Sequence, residues 1–282
     1  MNATRSIDRA QWAAATTRQR AGRTRQALAT PELRTFTDRV GSMLRLDFYR
    51  LFHTPLLYIM VAVSAIIPAM VLTMVSANEA GEQTFTNTWQ VVEMVAGGSA
   101  GMDLASLAVM CNINMVFIFT AIMVSVFISH DYSSGFIKSI FTVHAKKMDY
   151  VVSKSVACAF SGACMVVAYV IGACVAGVIA GKSFALGDGG ALGLALCILS
   201  KAALMGLFVP LYVAVAVFFK QHLWLTLTGA FMVGILFYPV AMMSAPLNST
   251  LLNLLLCLVG GALFGLAFGA AGTMFLRKRD LA

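Results

Sequence analysis

The chain has 282 residues, of which 60% are hydrophobic and 11% charged, and it carries a formal net charge of +8. An ordinary soluble domain carries about 25% charged residues, so this composition excludes a water-soluble globular protein, which could not cover its own surface. The positive excess points to membrane topology and away from a nucleic-acid partner. Arg crowds the first fifty residues, Lys clusters between Lys138 and Lys154, and Arg277, Lys278 and Arg279 close the sequence.

Residues 1–32 are predicted to be a mobile basic arm. They hold Arg5, Arg9, Arg18, Arg20, Arg23 and Arg25 among Ala, Thr and Gln. No apolar core of a secretory signal follows, and such an arm suits anionic lipid. Residues 33–54 are predicted to be an amphipathic interfacial helix. Leu33, Phe36, Val40, Leu44, Phe48, Leu51 and Phe52 fall at helical spacing, with Arg34, Arg39, Arg45 and Arg50 between them. Pro31 and Pro55 set this segment off from its neighbours.

Residues 55–282 are predicted to be a six-span transmembrane domain, because a helical span needs about 20 apolar residues. The spans are 56–75, 105–129, 155–180, 202–219 (starting as early as 191), 223–244 and 251–275. Lipid offers the backbone no hydrogen-bond partner, so the spans must be helices. The fold class is therefore an all-α integral membrane protein: six transmembrane helices, an N-terminal interfacial helix and a short helix in a cytoplasmic loop. Pro68, Pro210 and Pro239 each remove a backbone donor within a span. A break at Pro239 would let the segment up to Thr250 dip back into the membrane.

Charge sets the orientation. The segment 76–104 holds Glu79, Glu82, Glu93 and Asp103 and no Lys or Arg, whereas 130–154 holds Lys138, Lys146, Lys147 and Lys154, and the turn before span five holds Lys220. The positive-inside rule then puts both termini in the cytoplasm.

Chemical motifs are few. Residues 176–183 read AGVIAGKS, close to a phosphate loop, but such a loop needs a strand before it and a helix after it. Here it ends an apolar span. The six cysteines lie in apolar stretches and read as small hydrophobes. No catalytic residue, metal site or cofactor site is predicted in this chain. Gly261, Gly265 and Gly269 in span six, with Gly177 and Gly181 in span three, lie four apart and point to close helix packing. Asn112 and Asn114 in span two and Lys201 near span four are polar groups inside apolar sequence, hence candidates for a translocation path. The alternatives are interhelical hydrogen bonds for the asparagines, and for Lys201 an interfacial place from which its ammonium snorkels to water.

The most informative segment is DYSSGFIKSIFTVHAKKMDYVVSK, residues 131–154. Ser134 is placed to cap a short helix, on which Phe136, Ile137, Ile140 and Phe141 form an apolar stripe. An exposed apolar stripe implies a partner protein or the lipid surface.

These residues resemble the permease subunit of a type-2 ABC transporter. The likeness is carried by MLRLDFYRLFHTPLLYI (43–59), TNTWQ (86–90), MCNIN (110–114) and GFIKSIFTVHAKKMDYVVSK (135–154). It is closest to half-size bacterial permeases encoded beside a separate ATPase, several of which serve antimicrobial-peptide export or immunity. The resemblance implies a plasma-membrane exporter subunit that pairs with a second permease, the same or a related chain. A separate ABC ATPase subunit would hold ATP and Mg. It also implies that Ser134, Gly135, Phe136, Ile137, Lys138, Ile140 and Phe141 form the coupling helix on which that ATPase docks. A self-sufficient channel or secondary transporter is the alternative reading, and a membrane enzyme lacks any supporting residues.

Cysteines introduced near Thr84 and Gly189 are expected to react with an impermeant maleimide added to intact cells, and those near Ser139 and Arg279 are not. External labelling at Ser139 reverses the orientation.

Overall fold

The computed structural model describes residues 35–77, 87–93, 111–142, 146–186, 189–219 and 222–278. The predicted basic arm, the first two residues of the interfacial helix, the acidic residues Glu79, Glu82 and Asp103, and Lys220 and Arg279 lie outside these residues.

The helices are α1 (Phe36–His53), α2 (Pro55–Ala77), α3 (Gln90–Glu93), α4 (Met115–Ser133), α5 (Phe136–Thr142), α6 (Lys147–Ile179), α7 (Gly190–Phe219), α8 (Leu223–Ser244) and α9 (Leu251–Lys278). Among the described residues the one element of β pairing is an isolated bridge between Asn87 and Ser183. Six helices are long and apolar enough to cross a membrane: α2, α4, α6, α7, α8 and α9. The protein is thus an all-α membrane protein with the predicted number of spans.

Two boundaries differ from the sequence reading. The second span was placed at 105–129, but its helix begins at Met115, so Asn112 and Asn114 stand in turns ahead of it. The third span was placed from 155, but α6 begins at Lys147 and carries Lys154 within it. A Lys-rich opening turn hides the helix start from a hydropathy window.

The chain divides into two compact units, residues 1–39 and 40–282. In the first, the Thr35 hydroxyl bonds the Asp38 carboxylate at the start of α1. In the second, α4, α6 and α7 pack against one another. Helix α2 lies on α6, α8 on α4 and α7, and α9 chiefly along α7. Two thirds of the α4 span (67%) is buried inside the protein, against 11% for α9. The outer face of α9, with Leu252, Leu255, Leu256, Val259, Leu263 and Leu266, is exposed and apolar, as a hydrocarbon solvent requires.

Small residues set the close contacts. A Cβ on Gly172 would collide with the Ala65 carbonyl of α2. One on Gly261 would stand 2.9 Å from the Ala203 carbonyl, and one on Gly265 2.5 Å from the Gly206 carbonyl. Gly269 meets nothing within 4 Å, so the predicted glycine face of α9 extends over two of its three residues. Gly177 is covered by Thr88 of the segment before α3, not by a helix. Gly181 has φ 62 and ends α6: its N–H bonds Val178 O, and the Lys182 N–H bonds Gly177 O. That is a Schellman helix end, and it accounts for the phosphate-loop look of AGVIAGKS.

Gly265→Leu is expected to lower the thermal midpoint of the purified protein, because overpacking against a backbone carbonyl costs about 1–3 kcal/mol or more. Gly269→Leu is expected to leave it unchanged. Equal melting of both variants would show that α7 and α9 are not held at this distance.

Candidate functional site: a buried charge cluster beneath a short helix

The site is built from three helices with matching periodicity. On α1, Asp47, Arg50 and Leu51 are three and four residues apart and share one face. On α6, Tyr150, Ser153 and Lys154 do the same, continued by the buried Cys158 and Ser161. Asp131 lies near the end of α4 and is buried.

These faces converge on Lys154. Its Nζ stands 2.6 Å from Asp47 Oδ1 and 2.7 Å from Asp131 Oδ2, and the residue is 0% exposed. The same ammonium lies 4.0 Å from the Phe127 ring centroid. Asp131 Oδ1 is taken by Arg50 Nη2 at 2.6 Å. Tyr150 Oη donates to Asp131 Oδ2 at 3.0 Å, and Ser153 Oγ donates to Asp47 Oδ2 at 2.5 Å. Two carboxylates and two cations balance. Burying charge is tolerable only when it is paired and hydrogen-bonded, and each carboxylate here has both.

The sequence reading missed this site. It counted Lys154 among loop cations and Arg50 among the polar residues of the interfacial helix. The readable signal was a periodic stripe of polar and small residues, Tyr150, Ser153, Lys154, Ala157 and Ser161, in an otherwise apolar helix.

The short helix α5 sits on this cluster. Ser134 does not cap it. Its N–H bonds His130 O at 3.0 Å and so closes α4, and Gly135, at φ 70, makes the left-handed turn between the two helices. The Ser139 N–H then bonds Gly135 O at 3.2 Å. Only glycine takes that backbone geometry at no steric cost.

The expectation of a free apolar stripe is corrected. Ile137 is 2% exposed within the chain's own core. Phe136 lies under the Arg50 guanidinium, 3.8 Å from its ring centroid, and Phe141 meets the Tyr150 ring edge-on at 6.0 Å. Ile140 is half-buried. The rings roof the ion pairs and keep water from them. The outward face of the helix and its entry turn is polar instead: Ser134, Lys138 and Ser139 are exposed.

A second polar cluster lies deeper in the bundle. Lys201 is 3% exposed, eleven residues into α7, so the snorkelling reading is corrected. Its Nζ donates to Asn114 Oδ1 at 2.8 Å and to the Ala241 carbonyl at 3.4 Å. Asn112 Oδ1 accepts from Tyr238 Oη and from the Asn114 N–H, each at 2.9 Å. Tyr169 shares its one hydroxyl proton between the Val91 carbonyl at 3.2 Å and the Cys111 carbonyl at 3.0 Å. The turns ahead of α4 are thus tied to α6, α7 and α8.

The segment 87–93 docks beside them, at the far end of α6. Asn87 and Gln90 form a reciprocal cap, in which Asn87 Oδ1 accepts the Trp89 N–H and Gln90 Oε1 accepts the Asn87 N–H. Trp89 donates its indole N–H to Phe184 O.

Residues 43–237 match the family described as ABC-2 family transporter protein. The chain belongs to the ABC-2 transporter family. Comparison with curated proteins and with solved structures returns no match. An ABC-2 permease is the membrane component of its transporter, not the ATPase, and the family generally works with an ATPase subunit. This permease carries its whole charge cluster, α5, Asn112, Asn114 and Lys201 within the matched stretch. Gly261, Gly265 and Gly269 lie beyond it.

Lys154→Met is expected to destabilise the permease by about 3–5 kcal/mol, since it strands two buried carboxylates. Lys201→Met, which leaves the Asn114 and Ala241 oxygens without their ammonium donor, is expected to cost at least about 1–3 kcal/mol. Thermal melting of both variants in detergent checks these losses, and an unchanged midpoint for either variant overturns its prediction.

Proposed function

We propose that this permease forms the translocation path of an ATP-driven exporter and is driven by a separate ABC ATPase subunit. The reading is supported by the family match together with one observation: a seven-residue helix is seated by paired charges on three other helices, with its polar face turned outward. A loop that only reversed direction would need no such seat. ATP and Mg2+ are then held by the partner, and α5 receives the partner's motion.

In this reading Ser134, Lys138 and Ser139 present the docking face, while Phe136, Ile137, Ile140 and Phe141 hold the helix to the permease. Charge asymmetry supports cytoplasmic termini in a bacterial plasma membrane. Two permease subunits, identical or related, would pair across the path. Asn112, Asn114 and Lys201 act behind the path as the tie that sets the turns ahead of α4. For cargo we favour a peptide, on the resemblance to peptide-export and immunity permeases alone.

The test is co-purification of the co-expressed ATPase with the double variant Ser134→Glu and Lys138→Glu. The expected outcome is about a tenfold weaker association, equivalent to about 1.4 kcal/mol, with the thermal midpoint of the permease unchanged. Undiminished association removes α5 as the docking helix.

A further inference from the structure

We infer that Lys154 is the positioning residue that makes α1, α4, α5 and α6 move as one body when the ATPase displaces α5, an inference that rests on assigning α5 to ATPase docking.

Helix α5 alone is a short transmitter. It has seven residues, and Phe136 is its contact with the charged groups. The ion cluster carries that contact onward. Phe136 of α5 lies under Arg50 of α1, Arg50 grips Asp131 of α4, and Asp131 grips Lys154 of α6. Lys154 then closes the circuit back to α1 through Asp47. Pulling α1, α4 or α6 away separates buried opposite charges, so each separation is resisted steeply.

Among the described residues, only Lys154 is ion-paired with both carboxylates. Arg50 reaches Asp131 and is partly exposed, so water can take its place in part. A lysine ammonium is a compact point charge with three donors, which suits a place between two carboxylates and over the Phe127 ring. The consequence is mechanical. Motion at α5 reaches the base of α6, and α6 runs the full depth of the bundle to Thr88 and the Ser183 bridge, about 35 Å away at 1.5 Å per residue.

The test uses the intact permease–ATPase complex and needs no cargo. Hydrogen–deuterium exchange is compared between the nucleotide-free complex and the complex trapped with ATP and vanadate. In the native complex, exchange is expected to change together in α1, α5 and the first turns of α6. The variant Asp47→Asn with Lys154→Met removes one charge of each sign and leaves Arg50 paired with Asp131. It is expected to hold the ATPase at the native level and to keep the nucleotide-dependent change in α5, while the change in α1 and α6 falls to background. A native-sized change in all three segments of the variant overturns the positioning role, as does a native complex whose α1 and α6 never respond. If the double variant does not assemble, Asp47→Asn alone decides. It removes the ionic link from Lys154 to α1 and leaves Lys154 paired with Asp131, and a native response in α1 again overturns the inference. Failure of the native permease to hold any ATPase overturns the docking assignment itself, which separates that failure from this one.

Discussion

Lys154 carries its charge where water does not reach, between Asp47 and Asp131 at 2.6 and 2.7 Å. An unpaired ammonium is costly to bury there, so the carboxylates are required by the lysine as much as the lysine by them. That mutual requirement fixes the rotation of α1, α4 and α6. Turning α1 by one residue, about 100°, would carry Asp47 out of reach and bring Leu46 or Phe48 in its place. It also explains why an amphipathic helix with exposed Leu46, Tyr49 and Phe52 is attached to the bundle at all. The buried Asp47 gives it position.

The deeper cluster joins other helices. Lys201 of α7 donates to the Asn114 amide oxygen ahead of α4 and to the Ala241 carbonyl of α8, and Tyr238 of α8 donates to Asn112. Hydrogen bonds from an ammonium are charge-assisted, so this tie, like the one at Lys154, is costly to break inside the bundle. Between the two clusters, α7 and α9 are held at glycine contacts. The bundle is thus fastened by buried polar contacts at two levels, with small-residue packing between them.

The number of spans, the amphipathic first helix and the existence of α5 were legible in the sequence, because each rests on a periodicity of apolar residues. The sites were less legible. Ile137 and Phe141 form an apolar stripe whether they face a partner or their own bundle, and periodicity records the stripe but not what covers it. Lys201 illustrates the same limit. Depth follows from where α7 begins, and the sequence leaves two starts open, 191 and 202, of which the earlier lies one residue from the observed Gly190. Lys154 was counted as a loop charge because charge usually marks a span's end. Only the partners brought from α1 and α4 allow it to lie inside one.

The stretches that carry the family resemblance are the ones that hold these partners. Residues 43–59 contain Asp47 and Arg50, 86–90 contain the reciprocal cap of Asn87 and Gln90, 110–114 contain both asparagines, and 135–154 contain Phe136, Tyr150, Ser153 and Lys154. A lipid-facing leucine on α9 can be replaced by isoleucine, valine or phenylalanine at small cost, because hydrocarbon accepts any of them. A carboxylate that must receive an ammonium and a serine hydroxyl has no substitute of the same shape and charge. Those stretches are therefore the ones in which a substitution is expected to cost most, whereas the outer face of α9 is a run of interchangeable apolar residues.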